Sequence, residues 1–511
     1  MEYDYVIVGA GSAGCVLANR LSADPAVSVA LVEAGGPDDK LEIRIPAGFP
    51  KLFKTAYDWD YTTAKQPEML GRELYWPRGR MLGGSSSLNA QMWVRGCALD
   101  YDQWGLPGWT YEDVLPYFRK AERRVGSNHG GVYGEAGPLY ISEQRSPNVM
   151  TGAFLRACEE LGMRRLDELN GRSNEGCCQT PVTQNRGRRW SAADAYLKPV
   201  AKRPNLKVIT GAEVERVLFE GGRAVGVRHG GTTLGARREV ILAAGAIGSP
   251  LLLLKSGVGP AEDLAAEGVE VVHDLPEVGR NLQDHLASGV MLTTRQPVSI
   301  ATADSLPNLL RFVVLRSGPF TTNVGEAVAF IRTTPDEPAP DIELIFAPGP
   351  FVNHGLDKPT GHGLTVAAVL LQPESRGRVT LSDGKAVVDP GYLTAPADVE
   401  RLVAGLKTAK KILATDAMRP YAGGPYPPYT NPRTDEELAQ WVREKGETLY
   451  HPVGTCRMGA DAASVVDPEL RVRGVDRLRV ADASIMPTLN RGHTHAPVIM
   501  IGEKAADLIG T

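Results

Sequence analysis

Gly9-Ala10-Gly11-Ser12-Ala13-Gly14 is the segment of this 511-residue chain whose residue types most directly prescribe a ligand. It has the GxGxxG spacing, follows the apolar run Tyr5-Val6-Ile7-Val8 and leads into Cys15–Leu21, where Val16, Leu17, Ala18 and Leu21 are apolar. The first glycine makes a tight turn, the second lets backbone approach a pyrophosphate, and the third lets a helix pack on a sheet. The helix start then offers unpaired N–H groups and a positive dipole end. Glu33 closes the next apolar run, Val27–Val32, 24 residues after Gly9. A carboxylate there accepts hydrogen bonds from ribose hydroxyls and repels a 2′-phosphate, which disfavours NADP. The motif alone does not separate FAD from NAD, and its place near the N-terminus favours FAD. Three of the nine histidines crowd into two late segments, His451-Pro452-Val453-Gly454-Thr455 and Arg491-Gly492-His493-Thr494-His495-Ala496-Pro497. Such rings can take a proton near neutral pH. His493-x-His495 with His451 also offers a zinc set, but a dinucleotide site already accounts for the motifs, so no metal is expected. Alternate residues of an extended segment point to opposite sides, so His493 is read as structural. His129, His229, His273, His285, His354 and His362 are read as structural or surface residues.

The elements that must position these groups are legible from apolar periodicity. Tyr5–Val8 and Val27–Val32 read as strands around a helix, which is one βαβ opening. Leu206–Ile209, Glu213–Phe219, Ala224–Val227 and Glu239–Leu242 read as later strands, as do Arg477–Ala481 and, in between, Asp341–Phe346, Gly363–Leu371 and Arg378–Leu381. Helices are expected at about 397–415, 435–446 and Pro497–Ile509. Residues 150–200 are polar and mixed, and Arg419–Pro432, rich in Pro, Gly and Tyr, reads as a surface loop.

Residues 79–102 hold a second glycine-rich piece. Gly83-Gly84-Ser85-Ser86-Ser87 permits close backbone approach and offers several N–H donors. This segment and Gly245-Ala246-Ile247-Gly248-Ser249-Pro250 through Gly259 resemble the two signatures of the glucose–methanol–choline (GMC) oxidoreductases. Val278–His285, Ser375–Val379, Asp482-Ala483-Ser484 and Ala496–Ala505 resemble that family too, in the same order, so the likeness spans residues 3 to about 510. Within the family the chain is most similar to bacterial choline and alcohol dehydrogenases. The resemblance implies FAD and oxidation of an alcohol to a carbonyl. It implies that Gly9, Gly11, Ser12, Ala13, Gly14, Glu33 and Ala34 hold the dinucleotide, and that Val214 meets the adenine. Gly84, Ser85, Asn89, Ala90 and Met92 would line the flavin, with Asp482 and Ala483 near the pyrophosphate and ribityl chain. Some relatives tether the flavin through a histidine where this chain has Leu88, so FAD is expected to be non-covalent.

The same resemblance places His451 and His495, 44 residues apart, at the flavin. His451 is read as the main base and His495 as orienting partner or alternate base, also touching the cofactor. Hydride leaves the carbon as the proton leaves the hydroxyl, and a second hydrogen-bonding group aims the carbon. The helix starting near Pro497 would point its positive end at the flavin. Glu326 resembles a position that faces the ammonium in choline-oxidising relatives, but the same glutamate occurs with neutral alcohols, so choline is not assigned. Trp59, Tyr61, Trp93, Tyr421 and Tyr426 are candidates for the entrance, and Glu444, Lys445 and Glu447 for a solvated helix face.

The expected fold is α/β: a discontinuous Rossmann-like FAD-binding domain with an α+β substrate domain built on an antiparallel sheet. The FAD-binding domain would comprise 1–150, 205–290 and 466–511, and the substrate domain 151–204 and 291–465. The expected reaction is oxidation of a primary alcohol to the aldehyde, with oxygen or a quinone or other carrier as electron acceptor. Rival readings are a lyase of hydroxynitrile-lyase type or a light-driven flavin decarboxylase on the same fold, a flavin-binding partner protein without catalysis, and an NAD-dependent dehydrogenase.

Composition agrees with a globular enzyme. Hydrophobic residues make up 43% and charged residues 23%, close to the globular average. A net charge of −4 without long charge runs excludes a nucleic-acid binder of the basic-patch kind. No apolar run is long enough for a membrane span, and the first residues lack a signal-peptide pattern. The six cysteines form no CxxC pair, which fits a reducing, cytoplasmic setting.

Overall fold

The computed structural model describes residues 1–510. Its first sheet has seven strands in the order Leu206–Ile209, Val29–Val32, Glu2–Val8, Thr232–Leu242, Arg223–His229 and Arg216–Glu220, with Leu478–Val480 pairing on Thr232–Leu242. The first four strands and Leu478–Val480 run parallel, Arg223–His229 runs antiparallel to Thr232–Leu242, and Arg216–Glu220 runs antiparallel to Arg223–His229. Val29–Val32 is buried at every position, as an unbroken apolar run must be when helices cover both faces of a parallel sheet. The chain therefore enters this sheet three times, from residues far apart in sequence. Helices Ser12–Leu21, Gly245–Lys255 and His495–Gly510 begin at its ligand-facing edge.

The second sheet is antiparallel, in the order Ala327–Ile331, Ile342–Ala347, Gly363–Leu370, Leu286–Thr294 and Ala422–Pro425, with Glu447–Thr448 pairing on Leu286–Thr294. Its side chains alternate between two uses. Ile342, Leu344 and Phe346 pack with helices Val149–Glu160 and Pro396–Leu413 in one core. The intervening Glu343, Ile345 and Ala347 face the other way, and Ile345 and Ala347 line the ligand cavity. A one-residue slip would exchange the two sets.

Several expectations change here. Arg419–Pro432 is not simply a surface loop: Ala422–Pro425 joins the second sheet, and Tyr426 and Tyr429 are buried. Tyr429 packs edge-on against Trp441 with centroids 5.1 Å apart, so the tyrosines anchor the segment. Within 150–200, Val149–Glu160 is a helix capped by Asn148, whose side chain accepts from the Met150 N–H. The limits at 150 and 290 fall inside Val149–Glu160 and Leu286–Thr294, because both elements pack in the second core. The last helix begins at His495 rather than Pro497. Pro497 still lies in the first turn, where its missing N–H leaves no helical bond unmade.

Candidate active site

The glycine turn is built for contact. A Cβ on Gly14 would lie 1.9 Å from the Gly9 carbonyl oxygen, and one on Gly84 would lie 2.8 Å from the Gly11 Cα. Gly84 also has φ of +52°, a conformation that costs an ordinary side chain energy. The two glycine-rich segments therefore touch, backbone to backbone, beside one cavity. Gly9, Gly11, Ser12, Ala13, Glu33, Ala34, Gly84, Ser85, Asn89, Ala90, Met92, Val214, Asp482, Ala483, His451 and His495 all line it, as does Leu88. Gly14 does not; it serves the close packing of helix on turn.

Buried carboxylates brace the cavity floor. Glu33 accepts the Ala10 N–H at 2.8 Å through one oxygen and the Gly35 N–H at 2.8 Å through the other. Burial pushes its carboxyl pKa up, against those two donors and the Arg80 charge. Asp482 accepts from the Gly245 N–H at 2.8 Å and Ser249 Oγ at 2.6 Å with one oxygen, and from Ser484 with the other. It thus ties the start of Gly245–Lys255 to the Ala483 turn. Three helix N-termini, at Ser12, Gly245 and His495, meet at the cavity wall, an arrangement suited to an anion such as a pyrophosphate.

The three late histidines separate into two environments. His495 opens the last helix, and its Nδ1 lies 3.0 Å from Ser12 Oγ while its ring meets Trp93 edge-on at 5.5 Å. Its Nε2 is buried with no hydrogen-bond partner. Such an orphaned polar atom in a native site calls for a ligand. Burial, then the charge on Arg189, pushes the His495 pKa down to about 3. The expected pairing of His451 with His495 is not formed. The ring beside His451 is that of His493, with centroids 4.9 Å apart. His493 lines the same cavity, its N–H donates to the Val94 carbonyl at 2.9 Å, and its Nε2 lies 3.0 and 3.1 Å from the two oxygens of Glu343. His493 and His495 do point apart, as alternation requires. The side facing His451 is the other one, because His495 is already drawn into the helix.

His451 is held from behind by its neighbours in space. Its backbone N–H donates to Asp284 at 2.6 Å, and Asp284 also accepts from Thr448 Oγ1 at 2.6 Å and from the Tyr392 hydroxyl. Burial raises the Asp284 pKa to about 6. The His451 Nδ1 lies 2.9 Å from His285 Nδ1, and His285 Nε2 lies 3.1 Å from the Leu371 carbonyl oxygen. His285 is fully buried, so it is not a surface ring. Its place was hinted at by the Val278–His285 motif, which carries Asp284 and His285 side by side. Arg78 adds a partly buried charge nearby, donating to the Tyr450 carbonyl at 2.6 Å and Ser85 Oγ at 2.8 Å.

The other candidates divide between the cavity and the rest of the fold. Glu326 is buried but does not line the cavity. Its carboxylate accepts from Thr151 Oγ1 at 2.5 Å, Thr322 Oγ1 at 2.6 Å and the Asn148 N–H at 2.7 Å, so it joins two segments and faces no ligand. Trp59 and Tyr61 line the cavity and stack at 5.8 Å. Trp93 is buried in the first core, where its Nε1 donates to Glu122. Tyr421 and Tyr426 pack with the second core. Glu444 and Lys445 are exposed, whereas Glu447 pairs with Arg72 and lies 3.4 Å from His354. Among the described residues no cluster of His, Cys, Asp and Glu is suited to hold a metal ion, and no helix is long and apolar enough to cross a membrane.

The N-terminal model of the GMC oxidoreductases matches residues 3–287 and the C-terminal model residues 373–502. An uncharacterized GMC-type oxidoreductase of Mycobacterium tuberculosis (strain ATCC 25618 / H37Rv) is 50% identical over 527 aligned positions, with 99% of each chain covered. An alcohol dehydrogenase [acceptor] of Pseudomonas putida is 41% identical, with 99% of this chain and 95% of that one covered. The crystal structure of pyridoxine 4-oxidase from Mesorbium loti superposes with a TM-score of 0.90 at 35% identity, covering 99% of this chain and 98% of the other.

Proposed function

Because the chain belongs to the GMC oxidoreductases, FAD-dependent enzymes that act on alcohols, we propose that it oxidises a primary alcohol to the aldehyde, with His451 as base and His493 as the group that positions the hydroxyl. The observation that carries this reading is the convergence of the two rings, 4.9 Å apart, on a cavity floored by two glycine-rich segments. FAD bound there supplies the acceptor for the hydride that leaves the alcohol carbon. Gly9, Gly11, Ser12 and Ala13 would hold its pyrophosphate, Glu33, Ala34 and Val214 its adenosine half, and Gly84, Ser85, Asn89, Ala90, Met92 and His495 its flavin. Asp482 and Ala483 would close over the linking chain. Leu88 offers no nucleophile, so the association is non-covalent.

The protein's own part is to take the proton and fix the oxygen. His451 accepts the hydroxyl proton while His493, braced by Glu343, hydrogen-bonds the same oxygen and limits the ways the carbon can point. The walls near Tyr450 are aromatic: Phe49 and Phe53 meet at 5.8 Å, and Phe49 and Phe351 at 6.5 Å. The carboxylate at the histidines, Glu343, is already engaged by His493. These features support a neutral alcohol with an apolar or aromatic body over choline. The six cysteines, all unpaired and buried, support a reducing, cytoplasmic compartment. We take the acceptor to be a quinone or other carrier in preference to oxygen.

An anaerobic titration of the purified flavoprotein tests the reading. A panel of choline, aliphatic, aryl and furan-type alcohols is added, and the oxidised-flavin band is followed. Bleaching by a neutral primary alcohol is expected, with slow return of colour in air. A flavin spectrum that no alcohol bleaches would overturn it in favour of a lyase or light-driven reaction. The pH profile gives a second check. Burial, then the neighbouring His493 and His285 rings, holds the His451 pKa well below the ordinary 6.5. A base must be neutral, so activity is lost only as pH falls through that depressed value. The acid limb of kcat/KM is therefore expected below pH 6.5, with a flat profile above it. An acid limb centred at or above 6.5 would contradict the assignment.

A further inference from the structure

We propose that His285 is a positioning residue that fixes the tautomer of His451, so that a lone pair on Nε2, and not a proton, faces the alcohol. The inference rests on His451 being the base. It follows from counting protons along three hydrogen-bonding groups. The Leu371 carbonyl oxygen can only accept, so His285 Nε2, 3.1 Å away, carries a proton and donates it. A neutral imidazole has one N–H, which leaves His285 Nδ1 bare and able only to accept. The His451 Nδ1 lies 2.9 Å from that bare nitrogen. Two lone pairs facing each other at this distance would repel, so His451 Nδ1 carries the proton. The same count leaves His451 Nε2 bare. No described residue hydrogen-bonds that atom, and the ring borders the cavity.

The relay is neutral because His285 is buried. Burial, then the nearby His493 ring, pushes its pKa down to about 3, so the doubly protonated ring that could donate at both nitrogens is absent at working pH. The anchor of the relay belongs to the second sheet. The Leu371 N–H donates to the Asp341 carbonyl at 2.9 Å, and the Leu449 N–H donates to the His285 carbonyl at 2.8 Å. Glu343 is paired across that sheet with Val369. One pair of strands thus sets both rings of the site: Glu343 orients His493, and the Leu371 carbonyl orients His285 and, through it, His451.

The proton balance is simple. The alcohol O–H bond breaks and a His451 Nε2–H bond forms, giving a ring with protons on both nitrogens. The Nδ1–H bond to His285 then becomes charge-assisted and stronger.

Two variants and one spectrum test this. His285→Leu removes the acceptor, while His285→Asn places an amide oxygen near the position of Nδ1. A base contributes about 10²–10⁴-fold, and a wrong tautomer forfeits much of that. His285→Leu is expected to lower kcat at least ~30-fold with KM within about threefold and flavin content unchanged, and His285→Asn to recover at least ~10-fold of the loss. A kcat for His285→Leu within about threefold of the parent, or equal losses in both variants, would overturn the proposal. The spectrum is a long-range ¹H–¹⁵N correlation of the histidine-labelled holoprotein, with His451 assigned from the His451→Ala difference. It is expected to show His451 protonated at Nδ1 and bare at Nε2; the reverse pattern overturns the proposal even if neither variant folds. A parent flavin that no alcohol bleaches would sink the assigned reaction, and the tautomer would still be decided by this spectrum.

Discussion

Replacing His451 with alanine is expected to lower the rate of anaerobic flavin reduction by about 10²–10⁴-fold, the usual contribution of a positioned base, with FAD still bound. Alanine removes the ring and its Nε2. It keeps the backbone N–H that Asp284 holds at 2.6 Å, so the turn through Tyr450 and Pro452 keeps its main anchor. The residues proposed to hold the cofactor are on other segments, and their cradle is backbone on backbone at Gly11 and Gly84. His493 keeps its Nε2 on Glu343, at 3.0 and 3.1 Å, so only its Nδ1 is left to meet the alcohol oxygen. The loss is expected in kcat more than in KM, because the proton moves only as the transition state forms. Stopped-flow reduction at saturating alcohol, with the flavin-to-protein ratio taken from absorbance, measures both halves of the expectation. A rate within about fivefold of the parent, with full flavin content, would remove His451 from the chemistry.

The glycine turn was readable in the sequence because its chemistry is local. Strand, tight turn and helix follow within about twenty residues, and Glu33 sits at the end of the very next strand. The two late histidine segments were readable as a site for a similar reason: three rare rings stand in two short stretches. Their pairing was not readable. Which of His493 and His495 faces His451 depends on the Val94 carbonyl and on Glu343, the latter 150 positions away and the former farther still. His285 was passed over for the same cause, since its value lies in a contact to His451 across 166 positions. Glu326, to which no ammonium was assigned, has its oxygens taken up by Thr151, Thr322 and the Asn148 N–H. Two strands of the second sheet, Ile342–Ala347 and Gly363–Leu370, were legible as apolar runs, whereas Ala327–Ile331 and Leu286–Thr294 were not, and its edge at Ala422–Pro425 was hidden in Pro- and Gly-rich sequence, where pairing and buried tyrosines override composition.

Glu33→Gln is expected to weaken FAD binding by at least about 10²-fold, although the two side chains have the same shape. Both Glu33 oxygens accept from backbone N–H groups, Ala10 through one and Gly35 through the other, each at 2.8 Å. Glutamine has one acceptor and one NH₂ donor, so whichever way it turns, one of the two N–H groups meets another donor. Glu33 is buried, so water is poorly placed to repair the clash. An orphaned buried N–H costs about 1–3 kcal/mol, and bonds to an ionised acceptor contribute about 1.5–3 kcal/mol. A combined loss of about 3 kcal/mol corresponds to about 10² in affinity. That loss falls on the site because Ala10 lies inside the turn proposed to hold the pyrophosphate, and the same carboxylate is proposed to bind the ribose. Titration of the apoprotein with FAD, followed by flavin absorbance and by retention on gel filtration, reads the effect. The parent should elute yellow and the variant largely colourless at micromolar protein. A variant that keeps the parent flavin ratio, with a Kd within about threefold, would show that the carboxylate is dispensable to the turn and that the donor–acceptor count is wrong.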